Sequence, residues 1–275
     1  MKRSGPLTPP KAPASGAAAR PRPAFPARLD TSAPTPVNRP GAAPAATTRR
    51  VAAPVAVTSG IGMDSLAVRQ SMVRKLQAQD ISHPAVLAAM LAVERHRFVD
   101  TALAPQAYED TSLPIGLGQT ISKPSVVARM LELLCHGKSE KLGRVLDIGT
   151  GCGYQAAVLS HLAREVYSIE RLKGLHEKAR DNLRAFRLAN VHLLFGDGML
   201  GYPQGAPYAG IVAAAGGNDV PQAWIEQLAV GGRLVAPAVT GAGQQHLVVM
   251  EKTSQGVTRS VLEPVLFVPL KSGIA

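Results

Sequence analysis

Cysteine, tryptophan and aromatic residues in general are what this 275-residue chain has least of: two cysteines, one tryptophan, and 4% aromatic content. Cys135 and Cys152 are too few for a disulfide framework and lack a CxxC motif or histidines at zinc spacing, so no metal site is expected and a reducing compartment is the default. No run approaches the roughly 18–20 apolar residues of a membrane span. The start, Met1-Lys2-Arg3-Ser4-Gly5-Pro6, leads into prolines where a secretory signal would need its apolar core. These absences predict a soluble, cytoplasmic protein that does not engage membranes.

Acid is also scarce, with 19 Asp and Glu against 30 Lys and Arg and a formal charge of +11. Nine of the basic residues and only one acid, Asp30, fall within residues 1–60, so most of the excess belongs there. The same stretch holds twelve of the 22 prolines, mixed with Ala, Ser and Thr. Such a segment buries too little apolar surface to offset its chain entropy, which predicts a disordered extension over residues 1–60. Its composition is also that of an organelle transit peptide, although the prolines oppose the amphipathic helix of such peptides. A tail for acidic partners is a further reading of the charge, and a solvated tail the simplest.

After Gly60 the pattern becomes that of a folded domain. Asp64 or Ser65 can cap a helix directing Leu66, Met72, Val73 and Leu76 inward, and Pro84 can open a second helix with Val86, Leu87, Met90 and Leu91. The span Glu94–Thr120 has little periodicity and several turn residues, predicting a long functional loop or cover before a helix over 125–135. From Arg144 strands and helices alternate. Strands are expected at 145–148, 166–169 and 191–194, with helices over 154–163 and 172–186 between them. Further strands are expected at 211–213, 233–235, 246–250 and 261–267, with a helix near 223–228. This rhythm predicts an α/β fold, a doubly wound, mostly parallel sheet with helices on both faces. The organisation expected is an extension (1–60), a small helical substrate-side region (61–139) and a sheet core (140–275).

The turn after the first strand reads Asp147-Ile148-Gly149-Thr150-Gly151-Cys152-Gly153, which is GxGxG and not the GxGxxG of dinucleotide enzymes. Glycines there permit a sharp turn and close ligand approach. The carboxyl ends of parallel strands are where such sheets bind ligands. Glu170 ends the second strand and Gly196-Asp197-Gly198 the third. Taken singly, either acid is commonly a solvated strand end or a helix cap; together, on three consecutive strand ends, they are a specific pattern.

This arrangement resembles the class I S-adenosylmethionine-dependent methyltransferases, with their Rossmann-like core. The resemblance implies S-adenosyl-L-methionine as cofactor, held on the loop of Gly149, Gly151 and Gly153. By it, Asp147 supports that loop and the methionine moiety, Glu170 the ribose, and Asp197 with Gly198 the adenine. The segment Leu113-Pro114-Ile115-Gly116-Leu117-Gly118-Gln119-Thr120-Ile121-Ser122-Lys123-Pro124 is similar to the signature of protein-L-isoaspartate O-methyltransferases. The likeness extends through Arg95-His96-Arg97-Phe98-Val99, Pro221-Gln222-Ala223, Gly231-Gly232-Arg233-Leu234-Val235 and Val268-Pro269-Leu270, and so covers about residues 64–272. It implies isoaspartyl peptides and damaged proteins as substrates, an active-site serine at Ser122, and substrate binding by Thr120, Ile121 and Ser122. Without the family, Thr120-Ile121-Ser122 could merely cap the helix at Ser125.

Two segments depart from the family pattern. Ala209 stands where an acid usually follows the aromatic, and Ala213-Ala214-Ala215-Gly216-Gly217 replaces a segment that more often contains Ala-Ala-Pro. Placed beside the substrate and methionine end of the cleft, these changes are expected to slow turnover. Other readings are a methyltransferase acting on RNA or a small molecule, and a cofactor-binding protein without catalysis. Against RNA stand the missing Asn-Pro-Pro-Tyr-like segment and the few aromatics for stacking. No specific nucleic acid is expected as partner, and a monomer is expected.

Overall fold

A computed structural model describes residues 66–241 and 243–275; the expected extension and the caps at Asp64 and Ser65 lie outside these. Helix α1 (Leu66–Gln77) buries Met72 and Leu76, one turn apart, and packs on α2 (Pro84–Ala92). Leu66, expected inward, is 52% exposed. Helical side chains lean toward the preceding turn, and a residue opening a helix has no such turn to cover. Pro84 sits in the first turn of α2, where its missing N–H costs nothing.

The span expected as a loop carries local order. Two 3-10 turns, Arg95–Phe98 and Thr101–Gln106, precede an antiparallel hairpin of β1 (Leu113–Gly116) and β2 (Gln119–Ile121). Strands of three or four residues are too short to display a period, which is why the sequence does not announce them. The hairpin turns through Gly116, Leu117 and Gly118, all at positive φ. Helix α3 (Pro124–Cys135) follows and buries Val127, Met130, Leu131 and Leu134, a helical stripe facing the sheet.

The remaining elements are β3 (Leu142–Ile148), α4 (Tyr154–Leu162), β4 (Ala163–Glu170), α5 (Lys173–Arg184), β5 (Val191–Phe195), β6 (Tyr208–Ala213), α6 (Gln222–Gln227), β7 (Leu228–Val239), β8 (Gln245–Thr253) and β9 (Gly256–Pro264). The strands form a seven-stranded sheet in the order β5-β4-β3-β6-β7-β8-β9. The first five are mutually parallel, and β8 and β9 add an antiparallel pair at one edge. The order reverses beside β3, so the crevice at the carboxyl ends of β3, β4 and β6 is a topological switch point.

Alternation along the strands divides the interior in two. Val145, Val166, Val212 and Val235 share a core with α1–α5, whereas Leu146, Ile148, Ile211 and Leu234 join Trp224 of α6 on the other side. Helices therefore cover both faces, but unequally, since α6 is one short helix helped by Tyr202 and Tyr208. The N-terminal helices and the sheet share one continuous apolar cluster, from Met72 to Val249.

The last strand lies earlier than its sequence pattern suggests. β9 pairs with β8 over residues 256–264, and residues 256–261 are exposed on both sides, so no alternation marks them. Residues 265–275 continue as an irregular segment back over the sheet's carboxyl edge.

Candidate active site

The glycine turn leaves β3 with Gly149, Gly151 and Gly153 at φ of 89°, 56° and 93°. Residues with a Cβ adopt this region rarely and with strain, so glycine makes the turn at the least cost. The N–H groups of Gly149 and Thr150 both donate to the Ile169 carbonyl, tying the turn to β4. Gly153 serves a different end: a Cβ there would lie 3.1 Å from Leu183, so its absence lets α4 begin against α5.

Asp147 is completely buried and faces its ladder partner Ser168. Gln155 Nε2 donates to its Oδ1 at 2.8 Å and Ser168 Oγ to its Oδ2 at 2.7 Å. With the Ser168 proton so committed, the 2.7 Å contact between Thr150 Oγ1 and Ser168 Oγ has Thr150 as donor. Asp147 thus anchors the glycine turn through a relay of two hydroxyls, and does not itself line the cavity. Burial pushes its carboxyl up to about 6, against these two hydrogen bonds, which favour the charged form.

Glu170 ends β4 with 5% exposure. Its Oε2 accepts from Gly151 N–H and its Oε1 from Leu172 N–H, each at 2.9 Å. One lone pair on each oxygen remains for a ligand's hydroxyls. The same carboxylate therefore fixes the turn and faces the cavity.

Asp197 caps the 3-10 turn Gly198–Leu200, accepting from Met199 N–H at 2.9 Å. Its other oxygen accepts from Gly273 N–H at 2.6 Å. This bond belongs to a strap formed by the C-terminal segment. Val268 and Leu270 exchange backbone hydrogen bonds with Gly216, Arg171 Nε donates to the Gly273 carbonyl, and Ala275 bonds to the backbones of Arg171 and Lys173. The strap crosses the ends of β6, β5 and β4 in turn. Asp197 is held outside the cavity while Gly198 lines it, and Trp224 Nε1 fixes the Gly198 carbonyl at 2.8 Å.

Across from the strand ends lie Thr120, Ile121 and Ser122. Ile121 is buried, Thr120 exposed and Ser122 half-buried. None of them caps α3: its N-cap is Lys123, without a side-chain hydrogen bond, and the Ser125 N–H is satisfied by Asp110 Oδ1 at 2.9 Å. That distant carboxylate removes the capping alternative. Ser122 Oγ makes no hydrogen bond to the described residues, and the three residues line the cavity. Lys178 Nζ ties the hairpin to α5 through the Ile115 carbonyl at 2.9 Å. Arg95, fully buried, donates to the Ser122 carbonyl at 2.7 Å. The sequence gives no role to Lys178 or Arg95, because their partners lie far along the chain: backbone carbonyls for both and, for Lys178, the Asp100 carboxylate as well.

One cavity of about 470 Å³ joins these groups, a volume typical of small-molecule sites. Thr120, Ile121, Ser122, Gly149, Gly151, Glu170 and Gly198 line it, whereas Asp147, Gly153 and Asp197 stand behind it. Ile148, Ile169, Leu172 and Leu270 supply an apolar lining. Of the departing segments, Ala214 and Ala215 reach the cavity, but Ala209 does not. It lies near the start of β6, beside Gly143 of β3, at the sheet's opposite end. At about 3.3 Å per residue, it is roughly 16 Å along the strand from Ala214. The expectation that Ala209 weakens the methionine end of the cleft is therefore corrected, and its argument for slow turnover goes with it.

A parallel sheet reversing beside β3, a GxGxG turn and a strand-end carboxylate on one cavity define the class I methyltransferase architecture. The family described as protein-L-isoaspartate(D-aspartate) O-methyltransferase matches residues 67–275, and the chain belongs to it. A protein-L-isoaspartate O-methyltransferase of Methylibium petroleiphilum is 55% identical over 263 residues, spanning 92% of this chain and 97% of that one. One from Burkholderia pseudomallei is 57% identical over 219 residues, spanning 79% and 67%. Among solved structures, a protein-L-isoaspartate O-methyltransferase superposes with a TM-score of 0.68 at 27% identity, covering 75% of this chain and 67% of that one. A Plasmodium falciparum structure described as a putative enzyme of the same name, in complex with S-adenosyl-L-homocysteine, gives 0.65 at 23% identity, covering 74% and 98%; it supports the fold. Among the described residues no helix is long and apolar enough to cross a membrane.

Proposed function

We propose that this chain transfers the methyl group of S-adenosyl-L-methionine to the free carboxylate of isoaspartyl residues in aged proteins, the first step of their repair. The observation that carries this reading is that Ser122 and Glu170, from the hairpin side and from a strand end, line one cavity. The residues present fit the cofactor. Glu170 keeps lone pairs for ribose hydroxyls, the glycine turn admits close backbone approach, and the isoleucines and leucines offer an apolar surface to an adenine ring. Asp147 and Asp197 support the cofactor indirectly, through Thr150 and through the strap and Gly198.

When bound, S-adenosyl-L-methionine supplies a methyl carbon on a sulfonium sulfur, an electrophile that an ionised carboxylate attacks without a general base. The protein's task is then orientation and exclusion of water. Ser122 Oγ, with the backbone of Thr120 and Ile121, orients the isoaspartyl carboxylate; the hairpin and the strap close the sides. The peptide lies extended along residues 110–124, with main-chain contacts giving tolerance of sequence. Esterification replaces a carboxylate, which resists attack, by a methyl ester: the next backbone nitrogen attacks the ester carbonyl carbon, methanol leaves, and the resulting succinimide hydrolyses partly to normal aspartate. This reading places the activity in a monomer working in the cytoplasm.

The test is base-labile methyl ester formation on an isoaspartyl peptide by the wild-type chain and by Ser122→Ala. Activity in the first and loss of at least about tenfold in kcat in the second are expected. Equal turnover by both would remove Ser122 from the site.

A further inference from the structure

Arg95 is a cation with no exposure, set in the floor behind the substrate side of the cavity. Its Nε donates to the Ala107 carbonyl at 2.8 Å and its Nη2 to the Ser122 carbonyl at 2.7 Å. The guanidinium lies 4.8 Å from the ring centroid of Tyr154, a buried residue that also lines the cavity. Nη1 is buried without a hydrogen-bond partner among the described residues, and Asp110 acts on the group electrostatically without an ion-pair contact to it among those residues. Burial lowers the Arg95 pKa from its ordinary value, and the group stays charged, since guanidinium does not deprotonate in proteins.

A buried charge with no carboxylate in direct contact is costly, and an apolar side chain would fill the same volume more cheaply. What an apolar residue cannot do is hold two carbonyls in a fixed fork while stacking on an aromatic face. The fork ties Ser122 to the 3-10 segment ending near Ala107. On the other side of the same short stretch, Asp110 grips the Ser125 N–H. Residues 122–125 are therefore pinned at both ends by side chains from the preceding loop, and the serine hydroxyl is left without a competing partner.

We infer that Arg95 is a positioning residue for methyl transfer, aiming Ser122 at the substrate carboxylate by fixing its backbone carbonyl. The inference rests on the isoaspartyl reading above, which wild-type turnover tests separately in the same assay. Arg95 holds Ser122 by a hydrogen bond and meets the cofactor side only through its stacking on Tyr154, which a long cation such as lysine keeps in part, so its loss is expected to fall on the substrate half of the site. A lysine keeps the charge but not the fork.

The experiment is a double-mutant cycle on the full chain with Arg95→Lys and Ser122→Ala, reading kcat on an isoaspartyl peptide and the affinity for S-adenosylhomocysteine by calorimetry. Arg95→Lys is expected to lower kcat about tenfold or more while leaving the S-adenosylhomocysteine affinity within about twofold of wild type. In the Ser122→Ala background the same change is expected to cost less than about twofold, because no hydroxyl remains to be aimed. Fully additive losses, or a fall in cofactor affinity matching the fall in kcat, would overturn the inference. Should Arg95→Lys fail to fold, Arg95→Gln, which buries no charge, enters the same cycle with the same expectation. Failure of both to fold makes Arg95 a structural residue and overturns the positioning role.

Discussion

Gly273 donates its backbone N–H to Asp197 Oδ2 at 2.6 Å, so the acid that closes the third strand end also fastens the C-terminal strap over the cavity. An asparagine in that place would present an amide N–H to one of the two backbone N–H groups that Asp197 now accepts. Asp197→Asn is expected to weaken S-adenosylhomocysteine binding by about fivefold, the scale of one exposed charge-assisted hydrogen bond of about 1 kcal/mol. Calorimetry gives the affinity, and amide exchange over residues 268–275 is expected to quicken in step. Unchanged exchange there would show that the strap does not depend on this contact.

Glu170 is committed twice, to the N–H groups of Gly151 and Leu172. Glu170→Gln keeps the shape, but its amide nitrogen must face one of these donors. An expected loss of about tenfold or more in S-adenosylhomocysteine affinity combines that repulsion with a weaker acceptor for hydroxyls. A variant binding as tightly as wild type would leave the carboxylate without the part assigned to it.

Asp147 makes stability depend on pH in a defined direction. Its folded carboxyl titrates near 6, above the ordinary value of 3.8, so the native state holds the proton more tightly than the unfolded chain. The contribution of this group to stability is full below about pH 4 and is lost as pH rises through 6, by up to about 3 kcal/mol. Denaturant unfolding of wild type and Asp147→Asn across pH 4–7 isolates it. The wild-type advantage over the variant is expected to shrink across that range, and a constant difference would contradict the buried relay as described.

Ala209→Asp is expected to leave kcat and KM for an isoaspartyl peptide within about twofold, since the residue lies roughly 16 Å along β6 from the cavity lining. Steady-state kinetics on the purified variant decides it. A clear rise in turnover would mean that the amino end of the sheet reaches the site by some route other than contact.

The strand ends were legible in the sequence because their signals are local: apolar runs, a glycine turn that only positive φ explains, and acids at fixed offsets. Glu170 and the turn glycines follow from these alone, and the hairpin segment bearing Ser122 follows from the family likeness. The contacts that complete the site are not local. Asp110 capping α3, Lys178 holding the hairpin, Arg95 gripping Ser122 and Gly273 meeting Asp197 each join residues that no spacing rule connects. The misplacement of Ala209 had a different source, because it is a matter of direction along a strand: parallel strands put ligands at their carboxyl ends, and Ala209 begins one.

The most direct measurement is transfer of labelled methyl from S-adenosyl-L-methionine to two synthetic peptides that differ only in carrying isoaspartate or aspartate at one position. Base-labile label on the isoaspartyl peptide, exceeding that on its normal twin by at least about a hundredfold, is the expected result. Equal labelling of both, or labelling of neither by a chain that binds S-adenosylhomocysteine, would contradict the proposed activity.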